Sequence, residues 1–377
     1  MKINKFVMPE LIIGSDSIER VGESCARLGA RKVFITTDPG VLALNWFEQV
    51  LDSCKSAGLP YVIFSDITTN PKDDEVDRGV QIYLEEECDA IVGVGGGSPI
   101  DVAKAIAIVA TNGGSIHDYE GVDKIVFPLP PQVMVATTAG SGSEVSQFSI
   151  ITDSEKKKKL TIISKSLVPD IAIVDPQTLM TKSPHLTATT GLDVLTHAIE
   201  SFVSIAATPL TDVQAKSAIS LVAQYLRPSV ASKMNKEAKE KMAMASVQAG
   251  LAFSNAILGA VHAMSHAIGG RFLLPHGDVN AILLPYVMEF NYLACPEKFY
   301  QIAELFGEDG RHSGKKAIEY VKQLSLDIGA PQRLSDMGLQ NSDAAIIGQV
   351  AIEDACMITN PRDITAADVE RLFKLAL

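Results

Sequence analysis

Four short runs of apolar and β-branched residues in the first half limit the folds open to this chain. Lys32-Val-Phe-Ile-Thr-Thr-Asp38, Tyr61-Val-Ile-Phe-Ser65, Ala90-Ile-Val-Gly-Val94 and Val133-Met-Val-Ala-Thr137 are nearly continuous hydrophobic runs. They read as strands buried on both faces of a parallel sheet, because a half-exposed strand would alternate. Helical patterns fill the gaps near residues 41–57, 73–88 and 98–112. Strand and helix in alternation mean βαβ units and a doubly wound sheet.

After about residue 183 the strand signals stop. The remainder reads as helices rich in Ala, Leu, Met, Glu and Lys, with breaks at Leu226-Arg-Pro-Ser, Leu274-Pro-His-Gly and Gly329-Ala-Pro. The polar connection Met180-Thr-Lys-Ser-Pro-His-Leu186 separates the halves. The expected organisation is a Rossmann-like α/β domain over 1–182 and an all-helical domain over 183–377. No internal repeat is present.

Lys+Arg number 33 against 45 Asp+Glu, a net charge of −12 that would repel a phosphate backbone, so a nucleic-acid partner is not expected. No run of apolar residues is long enough for a membrane span, and Met1-Lys-Ile-Asn-Lys leads into a strand-like segment instead of a signal peptide, so a cytoplasmic protein is expected. Five scattered cysteines without a CxxC pair form neither a disulfide framework nor a thiolate metal site. The run Lys156-Lys-Lys-Lys159 lies between Asp153-Ser-Glu155 and a strand-like segment, and is read as a solvated hairpin turn.

Two loops carry nucleotide chemistry. Ala90-Ile-Val-Gly-Val-Gly-Gly-Gly-Ser98 followed by Pro-Ile-Asp-Val-Ala-Lys is a strand, a glycine turn and a helix. The glycines admit a ligand close to the backbone, Ser98 suits the N-cap, and the helix's free N–H groups suit a pyrophosphate. The usual dinucleotide fingerprint fails, since Gly93-Val-Gly-Gly-Gly-Ser98 has Ser at its sixth position and His117, not an acid, lies twenty residues past Gly97. That mismatch suggests a nucleotide fold of another lineage. A second small-residue loop, Thr137-Thr-Ala-Gly-Ser-Gly-Ser-Glu144, follows another buried strand, and two such loops make a dinucleotide crevice.

In the helical half, Asp193 and His197 stand four apart and share a helix face, as do His262 and His266, and His276 follows in Leu-Pro-His-Gly. These segments are too apolar for a surface, so the polar groups need buried partners, and a metal satisfies them together. One carboxylate plus imidazoles without thiolate suits Fe(II) or Zn(II). Spacing leaves one imidazole too many for a three-histidine set, and Glu200 is a rival carboxylate.

Taken together, Gly95-Gly-Gly-Ser-Pro-Ile-Asp-Val-Ala-Lys104, Thr137–Glu144, Gly191-Leu-Asp-Val-Leu-Thr-His-Ala-Ile-Glu200 and Gly259-Ala-Val-His-Ala-Met-Ser-His-Ala-Ile-Gly-Gly270 resemble, in order, the signatures of the iron-containing (group III) alcohol dehydrogenases. Ala207-Thr-Pro-Leu-Thr-Asp212, Leu274-Pro-His-Gly-Asp-Val-Asn-Ala281 and Thr359-Asn-Pro-Arg362 also look like that family. The resemblance implies a dehydroquinate synthase-like architecture, with 1–182 as the dinucleotide-binding domain and 183–377 as the metal and substrate domain, and a metal in its cleft, Fe(II) with Zn(II) as the alternative, held by Asp193, His197, His262 and His276. His266 would lie beside the metal, near nicotinamide and substrate. Gly96, Gly97, Ser98 and Asp101 would hold the pyrophosphate region of NAD, with NADP as the alternative, while Thr137, Thr138, Ser143, Lys159 and Leu179 line the rest of that site and Asp38 meets the adenosine ribose. The implied reaction is hydride transfer between the cofactor and a small primary alcohol, diol or aldehyde, in a homo-oligomer.

Ser254, Gln147 and Arg271 depart from the pattern common in that family. Arg271 could pair with an anionic substrate if it faced the pocket, but is read as a surface residue. Two rival readings fit the residues less well. A dehydroquinate synthase-type lyase or cyclase needs clustered Lys and Arg for a multiply charged substrate, and the site helices carry almost none. A non-catalytic metal-binding oligomer would have no use for intact glycine loops.

Overall fold

The structure is a computed structural model that describes residues 5–308 and 314–377. Residues 1–4 of the opening segment lie outside the described residues. Two compact units are present, Val7–Thr181 and one built chiefly from Lys182–Leu377.

The first unit contains β1 (Glu10–Ile13), β2 (Val33–Thr36), β3 (Tyr61–Phe64), β4 (Ala90–Gly95), β5 (Gly121–Val122), β6 (Gln132–Ala136), β7 (Phe148–Asp153), β8 (Lys158–Ile163) and β9 (Ile171–Val174). Its helices are α1 (Val21–Arg27), α2 (Pro39–Leu42), α3 (Phe47–Ser56), α4 (Asp73–Glu85) and α5 (Gly97–Asn112). A six-stranded, all-parallel sheet runs β1-β9-β6-β4-β2-β3. Phe34, Ile91 and Met134 pack into one core with residues of α4 and α5, whereas Val33, Ile35, Val92, Val133 and Val135 pack into another with residues of α1 and α3. Both faces are therefore covered, the physical reason these strands are continuously apolar.

The strand order places the two small-residue loops and Asp38 side by side. Thr36 pairs with Gly93 and Gly95 with Ala136, so the chain leaves β2, β4 and β6 at the same carboxyl edge. Open parallel sheets bind ligands at that edge.

Four local expectations differ from the structure. The single helix expected over 41–57 is two, α2 and α3, because Asp38 caps a one-turn helix through Oδ1 to the Val41 N–H at 2.9 Å. The helix after the glycine loop starts earlier than Ser98: Gly96 is its N-cap and Gly97 its first residue. Strand β9 was not anticipated, and the strand-like start Phe6–Ile13 becomes β1, which lies at the sheet edge and pairs with β9. The lysine run sits on the β7–β8 hairpin, but only Lys156 and Lys157 are the exposed turn expected of it; Lys158 and Lys159 are half-buried in β8, where they pair with β7.

The second unit is helical throughout its described residues, with α6 (Pro184–Val203), α7 (Pro209–Ala231), α8 (Lys236–Ala256), α9 (Ala260–Phe272), α10 (His276–Asn291), α11 (Pro296–Leu305), α12 (Lys315–Asp327), α13 (Ala344–Ile352) and α14 (Ala366–Leu375). The break expected at Leu226-Arg-Pro-Ser does not occur. Helix α7 continues through Pro228 into its last turn, where Leu226 and Ser229 are buried. Helix α9 is buried continuously from Ala260 to Gly270, so its histidines are interior groups. Among the described residues no single helix is long and apolar enough to cross a membrane.

Candidate active site

Three helices bring the metal-type side chains together. Asp193 and His197 come from the buried centre of α6, His262 from the first turn of α9, and His276 from the first residue of α10. The Nε2 atoms of His262, His276 and His197 stand 3.7, 3.8 and 4.0 Å from one oxygen, Asp193 Oδ1. Ligands on bonds of about 2.0–2.2 Å around a tetrahedral ion are roughly 3.3–3.6 Å apart, so these side chains would close in by a few tenths of an ångström to hold a first-row divalent cation. The ligand atoms of Asp193, His262 and His276 lie within 4.8 Å of one another, and the His197 ring stacks on His262 with centroids 4.5 Å apart.

His262 Nδ1 is 2.5 Å from Glu200 Oε2 and His276 Nδ1 is 3.0 Å from Ser265 Oγ, so each Nδ1 is engaged outside the cluster and Nε2 is the nitrogen that faces Asp193. Burial, then the neighbouring imidazoles, hold His262 well below the ordinary histidine range, so it is a neutral donor. Glu200, the rival carboxylate, is behind His262 and outside the cluster. Its other oxygen accepts the Val261 N–H at 2.7 Å, and burial pushes its carboxyl up to about 8. Gly259 is required here: a Cβ would lie 2.9 Å from Glu200 Oε1.

His266 is next to this set. Its ring stacks on His276 at 5.5 Å, and its Nδ1 is 2.8 Å from Asp354 Oδ2. Asp354 was not found in the sequence, since it precedes a 3-10 turn 88 residues away. Asn280 was also missed, although its position one helical turn after His276 was a usable signal. Its Nδ2 is 2.7 Å from Asp193 Oδ1, 3.0 Å from His276 Nε2 and 3.3 Å from His262 Nε2. The late Thr359-Asn-Pro-Arg motif braces these helices: Thr359 Oγ1 donates to Leu258 O, Asn360 pairs with Asn291, and Arg362 donates to Phe290 O. Arg271 is exposed and Ser254 and Gln147 are buried.

In the α/β unit the loop after β4 packs against the loop after β6. A Cβ on Gly96 would lie 3.3 Å from Thr138, and one on Gly97 would lie 3.3 Å from Ser141 Cβ and 3.7 Å from Ser143 Oγ. Gly95 is forced by Pro99, whose Cγ would be 2.4 Å from an added Cβ. Lys104, fully buried on α5, donates to the carbonyls of Ser143, Ser146 and Phe148 at 2.7, 2.7 and 3.0 Å, so it shapes the second loop. Thr137 Oγ1 and Asp101 Oδ1 are buried without a hydrogen-bond partner, as side chains built to meet a polar ligand would be. Lys159 is half-buried and donates to Asn70 Oδ1 and Thr152 Oγ1. Loss of solvation lowers its ammonium to about 8, against the pull of Asp101. Leu179 is buried in the 3-10 segment Pro176–Thr181.

Comparison with known proteins gives the same assignment. Residues 9–176 match the iron-containing alcohol dehydrogenase family, and residues 187–377 match the C-terminal region of the Fe-containing alcohol dehydrogenase family. The 1,3-propanediol dehydrogenase of Klebsiella pneumoniae is 42% identical over 379 residues, covering 98% of each protein. The NAD-dependent methanol dehydrogenase of Bacillus methanolicus is 40% identical, covering 99% of this chain and 100% of that one. A crystal structure of 1,3-propanediol oxidoreductase superposes with a TM-score of 0.97 at 41% identity, covering 100% of both chains. With both units matched and a relative 42% identical over nearly the whole chain, this chain belongs to the iron-containing alcohol dehydrogenase family.

Proposed function

We propose that this protein interconverts short primary alcohols or diols and their aldehydes with NAD(H), using Fe(II), with Zn(II) the alternative ion. The observation that carries the reading is the convergence of three imidazole Nε2 atoms on Asp193 Oδ1. The relatives named for 1,3-propanediol and methanol support substrates of that size. Asp193, His197, His262 and His276 would hold the ion. An ion held there would supply Lewis acidity, and a nicotinamide cofactor, when bound, would supply hydride chemistry.

The chain's own residues supply the rest. Asp354 occupies His266 Nδ1, so His266 has only Nε2 to offer as the acceptor of the proton leaving the hydroxyl. The N–H groups opening α5, at Gly97 and Ser98, would meet the pyrophosphate with Gly96 and Asp101, while Thr137, Thr138, Ser143, Lys159 and Leu179 would complete the cofactor site. We assign the α/β unit to the dinucleotide and the helical unit to metal and substrate, in a dehydroquinate synthase-like arrangement. Five free cysteines support a reducing, cytoplasmic setting. A panel of alcohols and aldehydes with each nicotinamide cofactor, run on metal-stripped protein with Fe(II) or Zn(II) restored, tests the reading. It fails if no small alcohol or aldehyde is turned over with either ion.

Cofactor choice rests on Asp38. One of its oxygens caps α2, and a carboxylate at this strand end favours ribose hydroxyls while repelling a 2′-phosphate. Wild type is expected to prefer NAD(H), and Asp38→Gly to gain NADP(H) use more than it loses NAD(H) use. Equal kcat/KM for both cofactors in wild type, or an unchanged ratio in the variant, reduces Asp38 to a helix cap.

Assembly is expected as well. Strand β1 ends the sheet with Ile13 37% exposed, and Met8 just before it is 49% exposed, an edge suited to pairing with another copy. Light scattering should give a dimer or larger species, and a 40.3 kDa particle at working concentration would contradict this.

A further inference from the structure

Away from the metal cluster, three segments of the α/β unit meet at an Asp-His-Asp group whose ligand-type atoms lie within 4.8 Å of one another. Asp73 is the first residue of α4, Asp153 the last of β7, and His117 lies in the 3-10 turn Ile116–Tyr119. His117 Nε2 is 3.1 Å from Asp73 Oδ2, and its Nδ1 is 3.5 Å from Asp153 Oδ2. Asp153 is 1% exposed, and its Oδ1 accepts the N–H groups of Glu155 and Lys156, which leaves Oδ2 facing the imidazole and, at 3.8 Å, Lys156 Nζ. Two carboxylates brought together on neighbouring segments repel each other. His117 hydrogen-bonds Asp73 and sets its other nitrogen beside Asp153 Oδ2, a buried oxygen without a hydrogen bond of its own, so the ring stands between the two segments.

What the group joins is the seat of Lys159. Asp73 also accepts the Ser154 N–H at 3.3–3.4 Å, and Thr152 N donates to Pro71 O at 2.7 Å, so residues 71–73 are stitched to 152–154. Thr152 is directly opposite Lys159 in the β7–β8 register. The ammonium of Lys159 is held at 2.8 Å by Asn70 Oδ1 and at 2.9 Å by Thr152 Oγ1, one acceptor from each stitched segment. Asn70 takes a left-handed φ of 59°, so its side chain is aimed by a backbone shape that the neighbouring stitches must maintain.

We infer that His117 is a positioning residue for cofactor binding, clamping Asp73 to Asp153 so that Asn70 and Thr152 aim Lys159. This rests on the assignment of Lys159 to the cofactor site. None of the three clamp residues was marked by the sequence as functional, and His117 drew notice only for not being the acid of a dinucleotide fingerprint.

A double-mutant cycle on full-length, metal-loaded protein tests it, with the dissociation constant of NADH measured by calorimetry. Lys159→Ala is expected to weaken binding by about tenfold and His117→Ala by roughly three- to tenfold, while the double variant binds no worse than Lys159→Ala alone, because a residue acting through another couples non-additively. His117→Gln, which keeps one donor, should recover part of the loss, and metal content should match wild type throughout. If His117→Ala binds NADH like wild type, or weakens it by the same factor with and without Lys159, the clamp has no positioning role. If Lys159→Ala itself leaves NADH binding unchanged, the assignment of Lys159 fails and the inference falls with it. Should His117→Ala not fold, His117→Gln in the same cycle decides, by the same coupling criterion.

Discussion

His262→Ala is expected to lose its metal and more than about 100-fold of kcat/KM, because removing a ligand should exceed the roughly 10–100-fold typical of changing a residue behind one. The ring does two things that alanine cannot. Its Nε2 is one of the three directed at Asp193 Oδ1, and its Nδ1 answers Glu200, a carboxyl only 3% exposed. Leaving that carboxyl without its partner costs about 1–3 kcal/mol, so a lowered Tm should accompany the metal loss. Elemental analysis of the folded fraction is the deciding measurement. A variant that keeps one equivalent of metal and full rate would remove His262 from the ligand set. Chelation of wild type should abolish turnover reversibly, with Fe(II) or Zn(II) restoring it. Asn280→Ala, which removes a donor to Asp193 without removing a ligand, should lower metal affinity by about 10–100-fold and no more.

The second large effect is expected at the start of α5. Gly97→Val should weaken NADH binding by about 100-fold or more with metal content unchanged. A Cβ there already meets Ser141 at 3.3 Å, and the two further methyl groups of valine would project over the N–H groups that open the helix. The backbone itself tolerates valine, since Gly97 is the first helical residue and has no left-handed φ. The loss should therefore fall on binding. Gly95→Ala is the contrast, because its Cβ would drive into the Pro99 ring at 2.4 Å and the cost should be to folding. Calorimetry with NADH separates the two, and unchanged affinity in Gly97→Val would deny the loop its role.

The sequence by itself determined the kind of each unit, because strand and helix leave local periodicities. Val33, Ile35, Val92 and their neighbours are apolar on both sides since both sides are covered, and Asp193 with His197 share a face since 3.6 residues make a turn. The glycine loops were legible for the same reason, being contiguous. Tertiary structure alone decided which polar groups meet. Glu200 stands 62 residues from His262, Asp354 88 from His266, and Asn280 87 from Asp193, separations at which no periodicity connects them. It also chose between Asp193 and Glu200, which share a helix. The folded helices point Asp193 at the three imidazoles and leave Glu200 to hold one of them from behind. The pairing of β1 with β9 and the Asp73-His117-Asp153 clamp were invisible in the same way, because each joins residues from distant stretches of chain, and only packing decides which of them come into contact.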